Sequence, residues 1–141
     1  MAKKVEYTER DIGAEVLYAL SKGLYSEPYH VIREYLQNAI DAFPNNIDMT
    51  IQNNSIYIYD DGTGMDEHGI DVCRKVGITE KDPAIHVGFR GIGIWAGLIY
   101  AKRLRISSSA EGIDKKFVLT IDFESIVKGI ETRSREYLTD L

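Results

Sequence analysis

The chain has one cysteine, Cys73, which excludes an internal disulfide and suits a reducing compartment. It has three prolines, no Pro/Ser-rich linker, no low-complexity segment and no internal repeat. No apolar run reaches the length of a bilayer-spanning helix. Positive charge is not in excess: 17 Lys and Arg stand against 22 Asp and Glu, a formal net charge of −5. That excludes nucleic-acid binding by overall charge, though not by a local patch. His30, His68 and His86 share no metal-ligand spacing. The G-x-x-x-x-G-K-[ST] phosphate loop is missing, and so is the dinucleotide fingerprint G-x-G-x-x-G. What is present is an ordinary globular composition. The 141 residues are 44% hydrophobic and 28% charged, enough for one domain with a core that needs no staples. Met1 to Glu6 lead into charged residues rather than an apolar leader, so the expected setting is cytoplasmic.

Twelve glycines are present, several of them clustered at 62–64 and 88–97. Around them the elements can be read from pattern. Thr8 caps a first helix carrying Ile12, Val16, Leu17 and Leu20 at helical spacing, with Gly23 as its stop. Ser26-Glu27-Pro28 starts a second helix that runs to about Phe43. Ile47, Met49 and Ile51, then Ile56 and Ile58, alternate around Gln52-Asn53-Asn54 as a β-hairpin. A short helix follows over 67–76, then a loop over 77–88 with Gly77, Pro83 and Gly88. Ile92 to Lys102 reads as a buried helix, Arg103–Ser109 and Lys116–Phe123 as a second hairpin, and Glu124–Leu141 as a polar helical tail. The order predicts an α+β two-layer sandwich, with a mixed or antiparallel sheet and helices on one face.

Three places can carry chemistry. Glu34, Asn38 and Asp41 are spaced by 4 and 3, so they share one face of the second helix. Either that face is solvated, or it serves a ligand; the apolar residues Ile32, Leu36 and Ile40 are expected near it, with Ala39 and Ala42 allowing close approach. Asp60 ends a strand on the face of Ile56 and Ile58 and opens Asp60-Asp61-Gly62-Thr63-Gly64-Met65. It is either a strand-end carboxylate in a glycine turn, or an acceptor for a ligand that reaches the backbone beside Gly62 and Gly64. Gly88-Phe89-Arg90-Gly91-Ile92-Gly93 leads into the apolar helix, where backbone N–H groups suit phosphate, although glycines at a tight helix entry are also common. Cys73 reads as a small helix residue, and Trp95, Leu98 and Ile99 as core. Lys102, Arg103 and Arg105 read as a solvated basic strand edge.

Together and in this order, E-x-x-x-N-A-x-D-A over 34–42, D-x-G-x-G over 60–64 and G-x-x-G-x-G over 88–93 resemble the GHKL ATPase superfamily. That superfamily joins gyrase B subunits, ninety-kilodalton heat-shock chaperones, histidine kinases and MutL mismatch-repair proteins. The resemblance covers residues 8–123 and implies the Bergerat-type ATP-binding fold. Glu34 sets the chain apart from histidine kinases. Gly88-Phe89-Arg90-Gly91 is similar to MutL, Asp60 to Met65 to the chaperones, and Gly77-x-Thr79-x-Lys81 to a lid motif of MutL and MORC-type ATPases.

The resemblance implies ATP and Mg²⁺ as ligands. Asp60 would accept from the adenine amino group, Asn38 would hold Mg²⁺, and Glu34 would activate water. Asp41 would support the adenine and ribose end. Gly62, Gly64 and Met65 belong to the adenine turn. Gly88, Phe89, Arg90, Gly91, Ile92 and Gly93 would wrap the phosphates, and residues 66–87 would form a lid in which Lys81 reaches phosphate. On this reading 1–123 is the ATP-binding domain without its last strands, and 124–141 a tail leading to a downstream region. The expected function is Mg-dependent ATP hydrolysis coupled to lid closure in a longer protein, with weak binding, slow turnover and feeble self-dimerisation for residues 1–141 alone. The alternatives are a nucleotide-sensing module without turnover and a histidine-kinase-type phosphotransfer domain. The client, protein or DNA, is left open.

Overall fold

The computed structural model describes residues 14–74, 81, 84, 85 and 93–139, with side chains between 18 and 131 except that of position 21. The Thr8 cap, His86 and most of the 77–88 loop lie outside them. The first helix, α1, spans Ala14–Leu24. The second, α2, spans Tyr29–Asp41; Pro28, with its φ of −57°, already has helical backbone at the N-cap. Phe43 ends α2 by turning into the left-handed region at φ 53°, and its N–H donates to the Ile40 carbonyl at 3.0 Å.

Strands β1 (Ile47–Gln52) and β2 (Ser55–Asp60) form the first hairpin, with Ile47 opposite Asp60 and Gln52 opposite Ser55. The two turn residues, Asn53 and Asn54, have φ of 51° and 60°, the left-handed pair that matches the twist of a tight hairpin. Helix α3 spans Glu67–Cys73 and is capped by Asp66, whose carboxylate accepts from the Gly69 N–H at 2.8 Å.

The apolar stretch after the second glycine cluster departs from expectation. Instead of a helix over 92–102 there is a 3₁₀ helix over Gly93–Gly97, continued by turns to Tyr100. Ile94, Trp95, Ala96, Gly97 and Leu98 are all buried, so every side of the segment meets protein. An unbroken apolar run carries no period, and this one is tightened by its contacts. A methyl at Gly97 would lie 2.7 Å from Tyr35 Oη and 3.0 Å from the Phe123 ring.

Strands β3 (Arg103–Ser108) and β4 (Phe117–Asp122) make the second hairpin. Leu104 and Ile106 pair with Ile121 and Leu119 on the inward face; Arg103 and Arg105 point out, as a solvated edge should. Asp122 closes β4 and starts α4 (Phe123–Thr139), accepting from the Ser125 N–H at 3.0 Å and hydroxyl at 2.8 Å. These bonds hold its carboxyl below the usual carboxylate range.

The core is Ile94, Trp95, Leu98, Ile121 and Phe123, with Tyr18, Tyr35, Cys73 and residues of β3, β4 and α4 around it. The architecture is α+β. Among the described residues the strands pair as two separate antiparallel hairpins, the second of which has helices on one face only. No helix among the described residues is long and apolar enough to cross a membrane.

Candidate functional site

Helix α2 turns its polar side inward. Asp41 is only 7% exposed, and Glu34 and Asn38 are half-buried. The apolar residues Tyr29, Ile32, Leu36 and Ile40 lie, at about 100° per residue, on the opposite side of the helix. There Tyr29 and Ile40 are 63% and 48% exposed, and Ile32 and Leu36 are half-buried. The expectation that Ile32, Leu36 and Ile40 flank the polar trio is thus corrected. The helix is inside out relative to a common amphipathic one.

Something must satisfy the buried carboxylate. Lys81 is one such partner: its Nζ lies 2.7 Å from Asp41 Oδ2 and 3.0 Å from Asn38 Oδ1. At the other end of the face, a methyl on Gly93 would sit 2.9 Å from Glu34 Oε2. The Arg33 guanidinium lies 3.7 Å from Glu34 Oε1. The structure thus brings together Glu34 and Gly93, and Asn38, Asp41 and Lys81. Gly88, Phe89, Arg90, Gly91 and Ile92 lie outside the described residues.

The glycine turn after β2 docks at the C-terminal end of the same helix. The Thr63 N–H donates to the Ala42 carbonyl at 2.9 Å, and a Cβ at Gly62 would strike that carbonyl oxygen. Gly64 has φ 69°, and a Cβ there would strike the carbonyl oxygen of Ser109. The Met65 N–H donates to Ser108 Oγ at 2.8 Å. Both glycines are therefore required by the chain's own close packing. What approaches Ala42 is Gly62. The half-buried Asp60 uses Oδ1 to accept from the Gly62 N–H at 3.0 Å, leaving Oδ2 without a partner among the described residues. Ile58 shares its half-buried face, whereas Ile56 is exposed.

Two contributors were not legible as site residues. Asp61 fastens the α2–β1 connection: its Oδ1 accepts from the N–H groups of Asn45 and Asn46 at 2.8 Å each, and its Oδ2 from Asn46 Nδ2 at 3.1 Å. The bonds from Asn46 hold its carboxyl below the ordinary range. Tyr35 ties α2 to the 3₁₀ helix: its hydroxyl donates to the Ile94 carbonyl at 2.9 Å and accepts from the Gly97 N–H at 3.2 Å. Burial pushes its phenol above the ordinary value of 10.0, against the pull of the Gly97 bond. The motif around Asp60 could have flagged Asp61 as turn chemistry; nothing local flags Tyr35, because its partners are 59 and 62 residues away.

No cluster of three or more potential metal-binding side chains occurs among the described residues. His30 packs edge-on against Tyr29 with ring centroids 4.4 Å apart, and burial raises the Cys73 thiol, opposed by the Lys81 charge.

Residues 25–139 match the family described as histidine kinase-, DNA gyrase B-, and HSP90-like ATPase. Among curated proteins, the chain is 28% identical over 104 residues to the DNA mismatch repair protein MutL of Wolbachia sp. subsp. Brugia malayi. It is 32% identical over 104 residues to MutL of Rhodospirillum rubrum and 33% over 103 residues to that of Rickettsia akari. Each match covers 67% of this chain but only 16–17% of the relative.

Proposed function

The chain belongs to the histidine kinase-, DNA gyrase B-, and HSP90-like ATPase family, and from that premise we propose that it binds Mg·ATP along the inward face of α2. The observation that carries this reading is the inward polar face of the helix, which buries Asp41 and half-buries Glu34 and Asn38 while Tyr29 and Ile40 on its apolar side stay exposed. From Gly93 beside Glu34 to Gly62 beside Ala42 the face runs eight residue steps, about 12 Å at helical rise. That is the order of length of an extended nucleoside triphosphate.

The residues fit the ligand. A cation, the Lys81 ammonium, already rests on Asn38 and Asp41, so the oxygens there suit positive charge. Mg²⁺ takes oxygen donors and keeps waters, so the Asn38 amide oxygen plus phosphate oxygens would suffice to hold it. The ion would neutralise phosphate charge. At the adenine end, Asp60 Oδ2 would accept from an exocyclic amine, with Asp41 as support. At the phosphate end, Glu34 would orient a water and take its proton, with Gly93 leaving it room. Gly88 to Gly93 would supply backbone N–H groups to the phosphates, and residues 66–87 would close as a lid. Turnover coupled to that closure, and self-association on closure, complete the proposal for the longer protein of which the MutL relatives are examples. The cytoplasmic setting goes with it.

Calorimetry with Mg·ATP and Mg·GTP tests the assignment. We expect ATP to bind and GTP to be rejected, since guanine presents a carbonyl oxygen where adenine has its amine. Asp60→Asn keeps an oxygen for the Gly62 N–H but loses the charge, and should weaken ATP by about 1.5–3 kcal/mol. Unchanged ATP affinity in both Asp60→Asn and Asp60→Ala would show that the carboxylate does not read the base.

A further inference from the structure

We propose that Lys81 is a placeholder cation: its ammonium takes the Asn38 oxygen that a divalent ion needs, so metal loads only as the lysine gives that oxygen up. This rests on the nucleotide reading above and adds a control to the same site. The lysine lies 43 residues from Asn38 and 40 from Asp41 along the chain, so the contact pins a distant loop residue onto α2.

The two bonds are unequal in kind. Asp41 Oδ2, at 2.7 Å, is charged, and its side chain is only 2% exposed; Asn38 Oδ1, at 3.0 Å, is neutral. A buried carboxylate stripped of its cation is strongly disfavoured, whereas an amide oxygen readily exchanges one donor for another. Asp41 is therefore the anchor and Asn38 the contested group. Mg²⁺ sits about 2.1 Å from a ligand oxygen, so an ion on Asn38 Oδ1 would lie within about 5 Å of the resident ammonium. Charges of +1 and +2 at that range in a half-buried site repel strongly. The lysine side chain is 31% exposed, so it has room to swing about Asp41. Loading the ion and moving the lysine are then one event. Because coupling is reciprocal, whatever holds Lys81 on Asn38 must weaken the metal.

The test compares wild type with Lys81→Met, which keeps length and loses charge, and with Lys81→Arg. Calorimetric ATP titrations over a range of Mg²⁺ give the half-saturating metal concentration. It should fall by about five-fold or more in Lys81→Met and stay near wild type in Lys81→Arg. Since Lys81→Met takes a cation from the buried Asp41, the double variant Lys81→Met/Asp41→Asn serves as the folded control and should show a fall in the same direction. A second readout uses metal alone: Mn²⁺ broadening of the Asn38 side-chain amide signal in NMR should be stronger in Lys81→Met than in wild type. An unchanged or raised Mg²⁺ requirement in both neutral variants, or equal broadening in wild type and Lys81→Met, would overturn the placeholder. ATP binding to none of the proteins, with broadening enhanced in Lys81→Met, would instead sink the nucleotide reading and leave the placeholder standing.

Discussion

Tyr35 shows how one side chain joins two parts of the site. Its hydroxyl is shared between the Ile94 carbonyl and the Gly97 N–H, so it fixes α2 against the segment that carries Gly93. Tyr35→Phe leaves both backbone groups without that partner and should cost about 1–3 kcal/mol in chemical denaturation. The same residue sets an alkaline limit. Its phenol is raised in the folded chain, so above the ordinary value of 10.0 the unfolded chain releases the proton and the folded chain does not. Stability is then unaffected below that pH and falls as pH rises past it, and Tyr35→Phe should make the fall shallower. One turn from Asn38, Glu34 is expected to act on water rather than nucleotide. Glu34→Ala should keep ATP affinity by calorimetry and abolish phosphate release, while Asn38→Ala should weaken Mg·ATP binding itself. The reverse pattern would exchange their roles. That these residues share a face was legible from spacings of 4 and 3, and Asp60 from its place at a strand end. Tyr35 was illegible, because a tyrosine beside a motif looks like any half-buried aromatic until its partners fold against it.

At the scale of elements, the glycine turn after β2 is a wedge between the end of α2 and the end of β3. Two substitutions separate its strain from its crowding. Gly64→Ala meets both a positive φ and the Ser109 carbonyl, whereas Gly112→Ala meets a φ of 78° with nothing within 4 Å. Gly112→Ala should lose about 1–2 kcal/mol for the left-handed backbone alone, and Gly64→Ala distinctly more, in paired thermal melts. Most elements could be placed from pattern: both hairpins alternate, and α2 carries its own start signal. Two features could not. A run apolar on every side has no period, so nothing separated a 3₁₀ helix at Gly93–Gly97 from a longer α-helix. Pattern also assigns the apolar stripe of α2 to the interior, and only the distant Lys81 and Gly93 reveal that the polar side faces in.

Across the described residues, burial is unevenly distributed. The β3–β4 hairpin contributes Ile121 and packs Leu104, Ile106 and Leu119 onto the core. The β1–β2 hairpin has no buried residue, and Met49, Ile51, Ile56, Tyr57 and Tyr59 are exposed. Hydrogen exchange should find the amides of β3–β4 protected well beyond those of β1–β2; equal protection would mean that the two hairpins open as one unit. The core itself has a further property. Trp95, the sole tryptophan, is 8% exposed, lies 6.1 Å from the Phe123 ring, and its Nε1 has no hydrogen-bond acceptor among the described residues. An indole so shielded emits toward the blue, and it sits one residue past the carbonyl that Tyr35 grips. The chain therefore carries its own optical gauge: its colour reports, without any attached dye, whether α2 and the 3₁₀ helix over Gly93–Gly97 are still clasped together.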